Sequence, residues 1–168
     1  AGYSGGSGVG GTEDGEGKAL NISIKAALLA AVIAAGGVSG QVAELAEAAV
    51  YEKAESNISE KDVEMCRELA EALGGQLAFT RPMVENGFGD VAHQIGLSGR
   101  TVRPKLIITC GVSGAIQFTS CMTGSDCIVA INNDPEAQIF NVADYCIVDD
   151  LYQVVPELTE LIRNRKED

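Results

Sequence analysis

Four short polar clusters in the chain each follow an apolar run: Thr80–Arg81, Gly111-Val-Ser-Gly114, Asn132-Asn-Asp134 and Asp149–Asp150. Gly111-Val-Ser-Gly114 has the composition of an anion-binding turn. Small residues let backbone N–H groups approach an oxygen, and a helix that follows adds positive potential. The same residues also make an ordinary tight turn. They are not a Walker A loop, since no Lys-Ser/Thr follows, and not a G-x-S-x-G nucleophile elbow, since residue 115 is Ala. Ser113 has no base in sequence beyond the single His93, so nucleophilic catalysis lacks its second member. Gln94-Ile-Gly-Leu-Ser-Gly99 carries one hydroxyl and two glycines, enough for a loop around a ring or phosphate, or for a plain turn. Arg81 precedes Pro82 at the end of a strand candidate, where a cation serves a ligand or the surface. Asp149–Asp150 suits a metal pair or, more simply, a helix cap.

The five cysteines (66, 110, 121, 127 and 146) form no CxxC, and Cys121 and Cys127 stand six apart. They read as buried reduced thiols, without zinc or iron–sulfur spacing.

The elements that must hold these clusters follow from periodicity. Ser59 and Asp62 make a variant capping box, and Val63, Cys66, Ala70 and Leu73 share a helix face that Gly74–Gly75 ends. Strand candidates follow at 76–80, 105–110, 126–131 and 145–148, with helices from the 111–114 turn to about Met122 and from Asp150 through Arg165. Pro156 marks that last helix's first turn or a kink. Apolar strands flanked by helices predict an α/β fold, a Rossmann-like parallel sheet with helices on both faces. Its carboxyl edge then collects the polar clusters, which is where open α/β sheets bind ligands.

Upstream the pattern changes. Residues 1–18 read as a flexible Gly-rich leader, with eight Gly in the first 17 residues. Gly6, Gly8 and Gly11 satisfy GxGxxG, but no strand precedes them. Residues 19–58 are Ala-rich and read as a helical hairpin. Gly36–Gly37 breaks it, and Ser39 caps a second helix carrying Val42, Leu45, Ala46, Ala49 and Val50. The α/β domain then occupies 59–168.

The chain has 168 residues, 12 Lys plus Arg against 24 Asp plus Glu, and a net charge of −12. That balance argues against nucleic acid or an anionic membrane as partner. Aromatics are 5% with no Trp, which disfavours stacked single-strand binding. Ala26 to Ala35 is the longest uncharged apolar stretch, too short to span a bilayer, which needs about 20 residues. A soluble, cytoplasmic protein is expected.

Taken together, residues 62–166 resemble the FAD-binding domain of the electron-transfer flavoprotein alpha subunit. The likeness rests on residues 67–75, Thr80-Arg81-Pro82, 94–106, Cys110-Gly-Val-Ser-Gly-Ala-Ile-Gln117, Ile128-Val-Ala-Ile-Asn-Asn-Asp-Pro-Glu-Ala137, Ile139-Phe140, Val142-Ala-Asp-Tyr145 and Asp150-Leu-Tyr-Gln-Val-Val-Pro-Glu-Leu158. The Thr-Arg-Pro and Gly-Leu-Ser-Gly forms look more like anaerobic members. The resemblance implies FAD as cofactor and an electron carrier, rather than a stand-alone enzyme, that works with a beta subunit and an acyl-CoA dehydrogenase or another dehydrogenase. It implies a cofactor site of Thr80, Arg81, Gln94, Ile95, Gly96, Leu97, Ser98, Ser113, Gly114, Ala115, Ile116, Gln117, Phe118, Asn132 and Asp144. Arg81 lies against the flavin, favouring its anionic reduced states. Ser98 stands where the family keeps a hydroxyl near the flavin N5, and Ile95 to Ser98 wrap the ring. Ser113 to Gln117 cradle the ribityl and pyrophosphate region, and Asn132 and Asp144 reach the adenosine half.

Two departures stand beside the likeness. Phe118 takes the place of a His that in many members contacts the flavin. The family's Gly-Gly-Arg-Gly loop, which follows the first strand and leads into the helix at 59–73, has its nearest match at Gly5-Gly6-Ser7-Gly8. The alternative is a non-redox nucleotide-binding or subunit-interaction module that has lost flavin binding.

Overall fold

The computed structural model describes residues 47–51 and 59–166. The Gly-rich leader and most of the Ala-rich hairpin lie outside the described residues. Five strands make one sheet, all parallel, in the order β2-β1-β3-β4-β5. They are β1 (Glu47–Tyr51), β2 (Gln76–Phe79), β3 (Ile107–Cys110), β4 (Ile128–Asn132) and β5 (Tyr145–Val148). The helices are α1 (Glu60–Leu73), α2 (Arg81–Glu85), α3 (Ile116–Thr119) and α4 (Leu151–Lys166), with 3₁₀ turns at Val91–His93 and Gln138–Asn141.

β1 corrects the helical reading of residues 19–58 at its described part, residues 47–51. Glu47–Tyr51 is a strand, seated between β2 and β3, with Val50 opposite Ala78 on one side and Thr109 on the other. Its alanines suit a helix locally, but tertiary pairing overrides such preferences. An inner parallel strand is covered on both faces and tolerates a continuous small or apolar run. A register irregularity between Glu47 and Ala49 marks its entry.

The other strands fall close to their sequence positions because their apolar runs alternate cleanly. Leu77, Phe79, Ile108, Cys110, Val129 and Ile131 join one core cluster, with Val63, Cys66, Leu69 and Ala70 of α1 and Val154, Val155, Leu158 and Ile162 of α4. Ala78, Ile107, Ile128 and Ala130 join the opposite cluster, against Val102, Val112, Met122 and Ile139. Period-two alternation with both faces buried is what a covered parallel sheet requires.

α1 begins as its capping box predicts: the Ser59 N–H donates to Asp62 Oδ2 at 3.0 Å. It ends at Gly74, whose φ of 75° is left-handed, and Gly75 N–H donates to Ala70 O at 2.8 Å. Pro156 lies inside α4 rather than at its start. α3 is a single turn, shorter than the helix to Met122 that periodicity suggests. α2, opened by Thr80 with Pro82 in its first turn, has no counterpart in the sequence reading.

Candidate functional site

From β1 the chain crosses to β2 on one side of the sheet, and from β3 it continues to β4 on the other. The strand order therefore reverses between β1 and β3. In open parallel sheets the crevice at the carboxyl ends of two such strands is the ligand position.

The turn after β3 is built for close approach. Gly111 and Gly114 have φ of 71° and 93°. A Cβ on Gly114 would stand 2.2 Å from the Ile139 backbone nitrogen. The turn is tied to β4 and beyond: Asn132 Nδ2 donates to Val112 O at 3.0 Å, and Ile139 N–H donates to Ser113 O at 3.0 Å. Asn132 Oδ1 in turn accepts from Asp134 N–H at 2.9 Å. The first intrahelical bond of α3 is made by Phe118 N–H to Ala115 O at 2.9 Å. The N–H groups of residues 114–117 precede it, as the orphan donors of any helix start do. With one turn of helix behind them, these amides rather than a macrodipole supply the anion-binding potential.

A second loop folds over the ends of the sheet. Ile95 N–H donates to Phe79 O at 2.9 Å, extending β2, and Arg100 N–H returns to Gln94 O at 2.8 Å. Leu97 N–H donates to Gln117 O at 3.0 Å. That bond joins the loop beyond β2 to α3 beyond β3, strands that flank β1. Gly96 has φ of 143°, and a Cβ on Gly99 would lie 2.3 Å from Gln94 O, so both glycines are required by the tightness of the loop. Gln94 Nε2 donates to Ser98 Oγ at 2.8 Å.

Three features here point to a ligand. Leu97 is 72% and Ile116 70% exposed, although their loops are hydrogen-bonded to each other. Thr80 is 3% exposed, and its Oγ1 has no hydrogen-bond partner among the described residues. A buried hydroxyl in that condition carries a desolvation cost that a bound polar group relieves. Arg81, next to it, pairs among the described residues with Glu85 through Nε to Oε1 at 2.6 Å, an exposed pair of the kind that holds its cation weakly.

Thr80, Arg81, Gln94 to Ser98, Ser113 to Gln117 and Asn132 thus gather at the carboxyl ends of β2, β3 and β4. Two expected members do not join them. Asp144 lies at the amino end of β4, where its Oδ2 accepts from Ile128 N–H at 2.7 Å and its own N–H donates to Ile128 O at 2.8 Å. It directly precedes β5, and a strand's start and finish are on opposite edges of a parallel sheet. Phe118 is 5% exposed and packs in the core with Val112, Met122 and Ile139. Its ring faces inward because α3 turns that side to the sheet. Asp149 and Asp150 follow β5 at the carboxyl edge. Asp149 N–H donates to Asn132 O at 3.2 Å, and Asp150 Oδ1 accepts from Tyr152 N–H at 3.0 Å as α4 begins. Their place directly after the β5 run was the signal for them, and the capping role is the one formed.

Three thiols are held protonated by their surroundings. Hydrogen bonding to Cys66 and burial push the Cys110 thiol well up. Burial, with a smaller contribution from the Asp144 carboxylate, lifts Cys127 to about 11, and the same two causes raise Cys146. No group of three or more His, Cys, Asp or Glu among the described residues could hold a metal ion. Among the described residues, an open cleft of about 530 Å³ runs along β2 to its last residue Phe79 and to His93, and one of about 720 Å³ lies between α1 and α4. Among the described residues no helix is long and apolar enough to cross a membrane.

A parallel sheet of order 2-1-3-4-5, with glycine turns at its switch point, defines a Rossmann-like α/β domain. Residues 53–123 match the family described as the electron transfer flavoprotein FAD-binding domain. The chain is 54% identical over 103 residues to subunit LctC of lactate dehydrogenase (NAD(+),ferredoxin) from Acetobacterium woodii, covering 61% of this chain and 25% of that protein. It is 51% identical over 100 residues to the electron transfer flavoprotein subunit alpha of Megasphaera elsdenii, covering 60% and 30%. With the subunit alpha of Clostridium acetobutylicum it shares 44% over 123 residues, covering 73% and 37%. The chain thus spans roughly a quarter to a third of the length of these relatives.

Proposed function

We propose that this domain binds FAD at the carboxyl edge of its sheet and serves as the cofactor half of an electron-transferring flavoprotein alpha subunit. The observation that supports the reading is the convergence of the β2 and β3 loops, with exposed Leu97 and Ile116 on the same carboxyl edge as Arg81 and the buried Thr80 hydroxyl, which has no partner among the described residues. An amphipathic ring suits that surface: apolar contacts for its faces, a donor and a cation for its polar rim. Bound FAD supplies the redox chemistry, and the protein supplies position and charge. Arg81 stabilises negative charge on the ring. Ser98 presents a hydroxyl. The amides of residues 114–117 meet phosphate oxygens, and Asn132 holds their turn in place while bordering the adenosine side. The beta subunit and a dehydrogenase, an acyl-CoA dehydrogenase or another, complete the electron path.

The test is a visible absorption spectrum of the purified chain, followed by titration with FAD, alone and with a beta subunit. Flavin bands at near-stoichiometric occupancy are expected. A colourless protein that ignores FAD in both settings would sink the proposal.

A second reading has one observation in its favour. With β1 at Glu47–Tyr51, the segment leading into α1 is Glu52-Lys-Ala-Glu-Ser-Asn-Ile58, which contains no glycine. A module that keeps the fold and binds only an adenine nucleotide, or only a partner subunit, accommodates that segment. Nucleotide analysis of the purified protein separates the two readings.

A further inference from the structure

Gln94 is 5% exposed, and its backbone is fixed by the bridge to Phe79 and by Arg100 N–H donating to its carbonyl at 2.8 Å. Its side chain is not available to a ligand in the same way: Nε2 donates to Ser98 Oγ at 2.8 Å. Ser98 itself is exposed, one residue beyond the Leu97 amide that ties this loop to α3. A serine hydroxyl has one proton to give and two positions to accept. The Gln94 amide fills one accepting position from the buried side. The Ser98 proton cannot return along that line, because it would meet another donor, so it is turned outward.

We propose that Gln94 is a positioning residue, holding the Ser98 hydroxyl with its proton toward the cofactor cleft as a hydrogen-bond donor to an acceptor atom on the redox ring. This rests on the flavin reading and refines it, moving Gln94 from the ligand-contacting set to the layer behind it. A hydroxyl already oriented loses less rotational freedom on meeting its acceptor, which is the usual benefit of preorganisation.

The test has two arms on the full chain. In the protein without flavin, exchange of the two Gln94 Nε2 protons is followed by ¹⁵N NMR. Ser98→Ala is expected to speed exchange of one of them by about fivefold or more as its bond is lost. Ser98 is exposed, so this variant keeps the core intact even if Gln94→Met does not. In the second arm FAD affinity is measured for Gln94→Met, Ser98→Ala and the double variant. Each single change is expected to weaken binding about threefold to tenfold, with the double variant no weaker than Ser98→Ala alone. Equal losses for Gln94→Met with and without Ser98 overturn the proposal, as does a Gln94 amide indifferent to Ser98→Ala. Those results differ from failure of the flavin reading, in which the unaltered chain binds no FAD and the proposal falls with it.

Discussion

Asp144 and Gly114 show how one residue's chemistry can be read correctly and its place wrongly, or the reverse. Asp144 is polar, near the end of the chain's ligand-like motifs, and looks available. Its carboxylate is instead a strut for the Ile128 amide at the opposite edge from Asn132. Asp144→Ala should therefore lower stability by about 1–2 kcal/mol, the loss of one charged hydrogen bond, with FAD affinity of the folded protein unchanged. Urea melts with a parallel FAD titration decide this, and a selective affinity loss would return Asp144 to the site. Gly114 is the converse case. Its φ of 93° and the Ile139 nitrogen leave no place for a methyl group. Gly114→Ala should cost at least about 1–3 kcal/mol and disturb the amides that follow it. Thermal denaturation checks the first effect and FAD titration the second. Phe118 belongs beside Asp144: its buried ring is core packing, so the position where many relatives carry His here fills the space under α3.

At the scale of elements, β2 to β5 were legible because each is an apolar run bounded by turn residues. β2, β3, β4 and β5 lie within two residues of where periodicity puts them. β1 was not, since Glu-Ala-Ala-Val-Tyr has no pattern of its own and becomes a strand only between two neighbours. The site's gathering was half legible. Position after a strand located Thr80, Arg81 and the 111–114 turn. The bond from Leu97 to Gln117 joins residues twenty apart, and no spacing rule announces it. Finding β1 also relocates the loop between first strand and first helix, from Gly5–Gly8 to residues 52–58. Glutamates at 52 and 55 are a poor match to a phosphate-bearing cofactor. Replacing residues 52–58 with a loop containing Gly-Gly-Arg-Gly should strengthen FAD binding by about tenfold or more, as charge repulsion gives way to a charged hydrogen bond. Isothermal titration gives the answer, and an unchanged affinity would mean this loop does not meet the ligand.

The whole molecule carries a pH dependence in its thiols. Folding keeps Cys127 protonated up to about 11, hydrogen bonding to Cys66 and burial raise Cys110, and burial raises Cys146. The unfolded chain releases these protons from about pH 8.5, so at higher pH it binds fewer protons than the folded chain. The thiol contribution to stability is therefore complete below about pH 8.5 and is lost as pH rises toward about 11. Denaturant midpoints measured from about pH 8 to about pH 10.5 should fall, and Cys127→Ala should flatten part of that fall. An unaltered slope in the variant would mean that Cys127 titrates normally.

The strand at the middle of the sheet is also a separable piece. β1 is joined to α1 through the eight residues 52–59, yet both β2 and β3 hydrogen-bond to it. A polypeptide beginning at Ser59 would leave two facing strand edges across an empty slot, the kind of edge that recruits foreign chains and aggregates. A synthetic peptide spanning residues 42–58, supplied in trans, has the shape to fill that slot by strand insertion. Solubility rescued by such a peptide would turn this domain into a split reporter whose two fragments regain their fold only together.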